Sequence, residues 1–267
     1  IWRSLVGSEM CIRDRLCEVW QGLLQAKKVG VTDNFFAIGG DSILSIQAVA
    51  RAAKEGLVFT TRQLFESQTI EKLAPHVTTE SKAIAPQNDV SGEQILIPIQ
   101  REFVSSDLVD QHHYNQSVLL TLPQEFSVDV LENIVLALYQ RHDILRVSFS
   151  GGKAQYIPFA NELSERAIQY HDLSELEGEA WHKELAELGN KAKAGLSLDT
   201  GDVFRAVLFD GDADHRRLLL TLHHMVVDGV SWRILLQDMA TAYEQLQQQD
   251  DIQLLPKTSS FQQWGQY

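Results

Sequence analysis

Two short segments carry side chains whose type and spacing could do chemistry. The first is Gly39-Gly40-Asp41-Ser42, at a loop-to-helix junction. Gly39 and Gly40 permit tight backbone turns that a side chain would block. They present the Ser42 hydroxyl at a helix N-terminus, whose partial positive charge favours a phosphate ester. Taken alone, Ser42 also reads as an ordinary N-cap. The second segment is His223-His224-Met225-Val226-Val227-Asp228-Gly229, between an apolar strand and a long helix. Successive residues of a strand point to opposite faces, so one histidine can face a cleft while the other packs inward. An imidazole titrates near neutrality and suits proton transfer. Gly229 permits the turn into the helix, and Asp228, beside a buried strand end, needs a cationic or hydrogen-bonding partner. Taken alone, the pair also reads as two satisfied core histidines and a turn aspartate. No third histidine has ligand spacing, so no metal is expected. A second tandem, His112-His113, shows how cheap such pairs are and is assigned no catalytic role.

The surroundings of both segments resemble known families. The stretch VGVTDNFFAIGGDSILSIQ, residues 29–47, resembles peptidyl carrier (thiolation) domains of nonribosomal peptide synthetases over residues 16–77. The resemblance implies that Ser42 carries a covalent 4′-phosphopantetheine, with Asp41 and Gly40 beside the attachment point. It also implies a phosphopantetheinyl transferase as partner. HHMVVDGVSWRIL, PIQREF at 98–103 and YQRHDILRVSF at 139–149 follow the order of motifs in the condensation superfamily, which is similar in fold to chloramphenicol acetyltransferase. That resemblance implies His224 as the catalytic histidine and His223 as its support. Asp228 is then structural, paired with an arginine of the second motif, with Arg146 preferred to Arg141.

Two chemistries share this histidine motif. In an epimerization domain a base removes the α-proton of an aminoacyl or peptidyl thioester and reprotonation follows on the other face. In a condensation domain the histidine orients an amine for attack on a thioester. The form Val-Asp-Gly-Val-Ser-Trp, the strand HYNQSVLLTLP and Asp41 in place of a histidine resemble the epimerization branch. The superfamily has two similar lobes with the site between them, and residues 95–267 correspond to the N-terminal lobe of a truncated domain. Epimerization domains place a second catalytic group, a glutamate, on the other lobe. A carrier and docking module without activity of its own is therefore the third reading. An upstream adenylation domain and downstream synthetase modules are the implied partners, and the aminoacyl or peptidyl thioester the implied substrate.

The elements that must position these groups are legible as patterns. Leu16, Val19, Trp20, Leu23 and Leu24 form one helical stripe, ended by Gly30. A second helix runs from about Ser42 to Glu55 with Ile43, Ile46, Val49, Ala50 and Ala53 on its inner face. Short helices begin near Thr61 and Thr69, completing a four-helix bundle. Residues 1–15 show no clear period and read as a linker or non-native segment. Residues 78–94 are polar, contain proline and glycine, and read as an interdomain linker. Beyond it, helices over 98–106, 128–141, 179–194 and 230–249 alternate with strands over 117–122, 145–149, 154–158, 167–172, 204–209 and 217–222. A turn-rich segment, DGDADH at 210–215, separates the last two strands. The fold class is thus α plus α/β: a four-helix carrier bundle, then one lobe of a chloramphenicol-acetyltransferase-like α/β sandwich.

Composition bounds the remaining possibilities. The 267 residues carry a net charge of −13, which repels nucleic-acid phosphates and anionic lipid, so neither is an expected partner. No run of 18 apolar residues and no signal-peptide pattern occurs. Two cysteines, Cys11 and Cys17, imply no disulfide framework and fit a reducing cytoplasm.

Overall fold

The structure, a computed structural model, describes residues 2–79, 85–211 and 216–266, with residues 2–10 and Lys54 described by backbone alone. It divides into two compact units, residues 1–84 and 85–267. Part of the expected linker, 80–84, and part of the turn-rich segment, 212–215, lie outside the described residues.

In the first unit the apolar stripe becomes the buried face of α1 (Trp2–Leu24), with Leu16 and Trp20 fully enclosed. The helix already spans most of the first fifteen residues, where no proline interrupts the backbone. It also ends earlier than Gly30: Gln25 takes the left-handed conformation (φ 51°) that stops it. Helix α2 (Ser42–Lys54) turns a different face inward from the one expected. Ser45, Ala48 and Ala52 are buried, whereas Ile46 and Ala53 are exposed. Small side chains at those positions let α2 lie close against α1, a gain that side-chain hydrophobicity alone does not signal. Helix α3 (Thr61–Ser67) opens on a reciprocal cap between Thr60 and Gln63, and α4 (Ile70–Leu73) on a Thr69 cap.

The second unit holds two sheets. The smaller has the order β1–β4–β3, from β1 (Gly92–Gln94), β3 (Val147–Ser150) and β4 (Lys153–Tyr156). Residues 92–94, read as linker from their polarity, thus join a sheet: their edge position needs backbone pairing with β4 rather than apolar side chains. The larger sheet has the order β2–β7–β6–β5, from β2 (Asn115–Thr121), β5 (Ile168–Asp172), β6 (Phe204–Asp210) and β7 (Arg217–His223). Its pairs are antiparallel except β5 with β6.

Both faces of this sheet are covered. On one face Ala206, Leu208, Leu218, Leu220 and Leu222 pack with Leu131, Ile134 and Leu138 of α6 (Val128–Arg141) and Trp232, Leu235 and Met239 of α9 (Gly229–Gln247). On the other, Val207, Phe209 and Leu219 pack with Trp181 and Ala192 of α8 (Gly178–Ala194). This explains why β6 and β7 read as continuous apolar runs rather than alternations. Helices α5 (Pro98–Ser105), α7 (Glu162–Ala167) and α10 (Phe261–Gly265) complete the unit. Among the described residues no helix is long and apolar enough to cross a membrane.

Candidate functional site

The two constellations lie in separate units. In the first, Gly39 and Gly40 do different jobs. Gly39 has φ 106°, a conformation open to glycine. Gly40 has no such demand, but a Cβ there would lie 2.3 Å from the Phe35 ring and 2.5 Å from the Phe35 carbonyl oxygen. The elbow therefore rests directly on Phe35, which is fully buried and meets Trp20 edge-on at 4.8 Å.

Ser42 is not the cap of α2. Asp41 is: its Oδ1 accepts from the backbone N–H of Ile43 at 2.8 Å and of Leu44 at 2.7 Å. Ser42 occupies the first helical position, exposed, and no hydrogen bond engages its hydroxyl among the described residues. The capping carboxylate has taken the N–H groups that sequence reasoning offered to a phosphate. An exposed, unengaged hydroxyl on a fixed elbow fits a covalent attachment point.

In the second unit, β7 ends at His223, and the two histidines diverge. His223 is fully buried. Its Nδ1 accepts from the Met225 N–H at 3.1 Å, so its Nε2 carries the proton and donates to the Gln111 carbonyl at 2.7 Å. Burial, against the opposing Gln111 bond, lowers its pKa from 6.5 to about 4. His223 is thus a neutral histidine that holds Met225 and the Gln111 carbonyl.

His224 is half-buried. Its backbone N–H continues the ladder to the Tyr114 carbonyl at 2.8 Å, and its ring stacks on Tyr114 with centroids 5.1 Å apart. Nδ1 lies 2.7 Å from the Val227 carbonyl oxygen and Nε2 lies 3.0 Å from Gln116 Nε2. Gln116 Oε1 in turn accepts from the indole N–H of Trp232 at 2.9 Å. The first motif supports this loop from outside the strand. Gln100, buried, donates to the Met225 carbonyl at 3.2 Å, and Phe103 stacks on Tyr114 with centroids 5.2 Å apart.

Three expectations are corrected. Asp228 does not pair with Arg146. It is exposed and caps α9, its Oδ1 accepting from the N–H of Val230 at 3.0 Å and from the N–H and hydroxyl of Ser231 at 2.8 and 2.7 Å. Burial opposes its ionisation, but the Ser231 and Val230 bonds and nearby His224 outweigh that and lower its pKa. Arg146 lies in a short 3-10 turn over Asp143–Arg146 rather than on a strand. It is fully buried, bonds Asp143, and donates to the Ile157 carbonyl at 2.7 Å and the Tyr139 carbonyl at 3.2 Å. Lys257 reaches the same Asp143 at 3.0 Å. Arg141 is engaged elsewhere too, with Asp238 at 2.8 Å. A helix cap satisfies Asp228 locally, so a distant cation is unnecessary. Gly229, finally, does not enable the turn: its φ is ordinary and a Cβ there would meet nothing within 4 Å. The extended Asp228 (φ −138°) makes the turn.

Sequence reasoning does not single out Gln116, Trp232 or Tyr114 as site residues. One signal exists for Gln116. It shares the inward-facing row of β2 with Val118 and Leu120, which pack on the core, and a polar residue in such a row needs partners.

Comparison with known proteins places both units. A family model described as "Condensation domain" matches residues 90–267, and one described as "Phosphopantetheine attachment site" matches residues 14–77. One of the proteins that make up the linear gramicidin synthase of Brevibacillus parabrevis is 42% identical over 94% of this chain. Surfactin synthase subunit 1 of Bacillus subtilis (strain 168) is 38% identical over 96%. The chain spans 3% and 7% of the length of those two relatives. Among solved structures, the epimerization domain from the third module of tyrocidine synthetase B superposes with a TM-score of 0.61 at 30% identity, over 68% of this chain and 41% of that one. The first condensation domain of the CDA synthetase shares the fold, with a TM-score of 0.51 at 20% identity over 61% of this chain and 41% of that one. A phosphopantetheine-attachment domain carries a covalent 4′-phosphopantetheine. The chain belongs to the condensation-domain family and, ahead of that domain, carries the peptidyl carrier domain of a nonribosomal peptide synthetase.

Proposed function

We propose that Ser42 holds the 4′-phosphopantetheine and that the second unit supplies the histidine half of an epimerization site converting an L- to a D-aminoacyl or peptidyl thioester. The observation that carries this reading is the pairing of His224 geometry with the 30% identity to an epimerization domain. The arm supplies a terminal thiol that holds the acyl group as a thioester, which acidifies the α-proton. The chain's own residues do the rest. Ser42 offers the attachment oxygen to a phosphopantetheinyl transferase. His224, with its proton on Nδ1, has at Nε2 the one lone pair that can take the Cα proton once substrate displaces the Gln116 amide beside it, and reprotonation on the opposite face falls to a second group. His223 and Gln100 hold the loop that carries it.

The matched region covers 41% of the tyrocidine epimerization domain, so groups on the remainder of that fold are not supplied by these residues. A two-sided site that is half assembled positions substrate poorly, and misplacement costs rate steeply. The 267-residue chain is accordingly expected to be phosphopantetheinylated yet to epimerize slowly or not at all, acting by itself as a carrier and docking module.

A second reading is favoured by the family description: peptide-bond formation, with His224 orienting an amine. Loading the carrier with an L-aminoacyl pantetheine in deuterated water, in a longer chain that includes the rest of the second domain and with an aminoacyl thioester present as amine acceptor, separates the two. Deuterium at Cα that is lost in His224→Ala supports epimerization. An amide product without deuterium supports condensation. The prior step is intact-mass measurement after incubation with coenzyme A and a broad-specificity phosphopantetheinyl transferase. One added phosphopantetheine, absent in Ser42→Ala, is expected; no gain on folded protein overturns the attachment assignment.

A further inference from the structure

We propose that Gln116, locked by Trp232, is the positioning residue that fixes the ring orientation of His224 and keeps its Nε2 a hydrogen-bond acceptor. The proposal rests on reading His224 as the proton-transferring group. It is carried by a chain of one-way hydrogen bonds. An indole N–H can only donate, so the Trp232 Nε1 contact at 2.9 Å decides which end of the Gln116 amide is oxygen. The amide nitrogen then faces His224 Nε2 at 3.0 Å, and an amide N–H can only donate. His224 Nε2 must accept. Independently, the Val227 carbonyl can only accept, which puts the imidazole proton on Nδ1 at 2.7 Å. Two partners on opposite edges of the ring, from β2 and from the loop after β7, require the same tautomer.

The arrangement is also hard to slip. Trp232 is buried, and it anchors on α9 one turn beyond the Asp228 cap. Gln116 is fixed on β2, paired opposite Leu222. If Gln116 turned its amide over, an N–H would face the indole N–H. While Gln116 holds this place, a second proton on His224 would set an N–H against the amide nitrogen, so proton transfer at Nε2 begins only when substrate displaces the amide. Each change sets donor against donor in a partly dry site, where an unmade hydrogen bond is costly. The residue beyond the motif's histidines that matters for their chemistry is thus a glutamine 108 positions upstream.

The test is the 1H–15N correlation spectrum of histidine ring nitrogens in the full chain at neutral pH, with His224 assigned by its loss in His224→Ala. The expected signature is an unprotonated, pyridine-type Nε2 and a protonated, pyrrole-type Nδ1. In Gln116→Glu the donor facing His224 becomes an acceptor, and Nε2 should move to a protonated position. In Trp232→Phe the amide is free to turn over, and Nε2 should move part of the way. A protonated Nε2 in the unmodified chain overturns the proposal, as do folded variants whose His224 resonances stay where the unmodified chain has them. Should either variant fail to fold, the other and the unmodified spectrum still decide. Absent Cα exchange in the longer synthetase, alongside the expected ring signature, would instead overturn the proton-transfer reading and leave the positioning intact.

Discussion

Asp41 and Asp228 cap two helices in the same way and lead to opposite kinds of site. Their backbones match, with φ, ψ of −132°, −177° and −138°, −177°. Each uses Oδ1 to take two successive N–H groups. Beside Asp41 stands an exposed hydroxyl that no hydrogen bond among the described residues engages. Ahead of Asp228 stands an imidazole held at both nitrogens and stacked on an aromatic ring. On the proposed roles, the difference follows from who does the chemistry. A residue modified by another protein must be reachable, and its geometry is completed by that protein. A residue that moves protons must have its lone pair and orientation settled beforehand. The same local device serves both because a cap fixes the backbone and says nothing about the side chains around it.

The largest expected effect tests that division. Ser42→Ala should abolish phosphopantetheine addition while leaving both units folded, and His224→Ala should leave the addition intact; intact mass and circular dichroism read both. Loss of addition in His224→Ala would mean the sites are not separable. Next comes Arg146→Ala. It strips a fully buried cation from Asp143 and two carbonyls and should destabilise the second unit by about 3–5 kcal/mol. Denaturant unfolding should show the carrier transition unmoved.

The third prediction concerns His223. Its folded-state pKa is lowered to about 4, so the unfolded chain binds a proton that the folded one refuses. Its neutral form costs nothing above the ordinary value of 6.5. As pH falls from there toward 4, the second unit should lose about 3 kcal/mol. His223→Gln should remove that part of the slope, and identical slopes in the two proteins would show that His223 is not held neutral. The smallest effect is the most direct comparison. Asp41→Ala and Asp228→Ala should each cost about 1 kcal/mol in their own unit, as helix caps do. Because the Asp228 pKa is lowered, its contribution is present above the ordinary carboxylate pKa and fades as pH falls through the lowered one. A several-fold larger cost at Asp228 would restore a buried ion-pair role for it.

How much of this is legible in the sequence depends on whether a signal is local. Helix α6 can be read to its terminal residues, 128–141, because its apolar period lies within one stretch. Strands β5 and β7 can be read within a residue at each end for the same reason. The elbow at 39–42 is visible too, although the cap falls to Asp41 rather than Ser42, since either side chain could serve. The inner face of α2 is not legible, because apolar size points to Ile46 whereas close helix packing selects Ser45, Ala48 and Ala52. The partner of Asp228 escapes as well: a need for a partner can be inferred from one residue, but its identity cannot. The Gln116–Trp232 relay spans 116 positions and exists only once β2 pairs with β7 and α9 folds across them. No window of sequence contains it.

The contact between Gly40 and Phe35 has a consequence for how this chain can change over time. Any side chain at 40 would collide with the ring of Phe35 and with the backbone carbonyl of residue 35, and no substitution at 35 removes the carbonyl. A smaller residue at 35 opens a void against Trp20, and such voids cost several kcal/mol for a large aromatic. Position 40 is therefore held to glycine by backbone as well as by ring, and positions 20 and 35 are held to each other by their aromatic contact. Single mutational steps away from the present combination lead through destabilised intermediates. The elbow that presents Ser42 is held in place across descendants by the aromatic core beneath it.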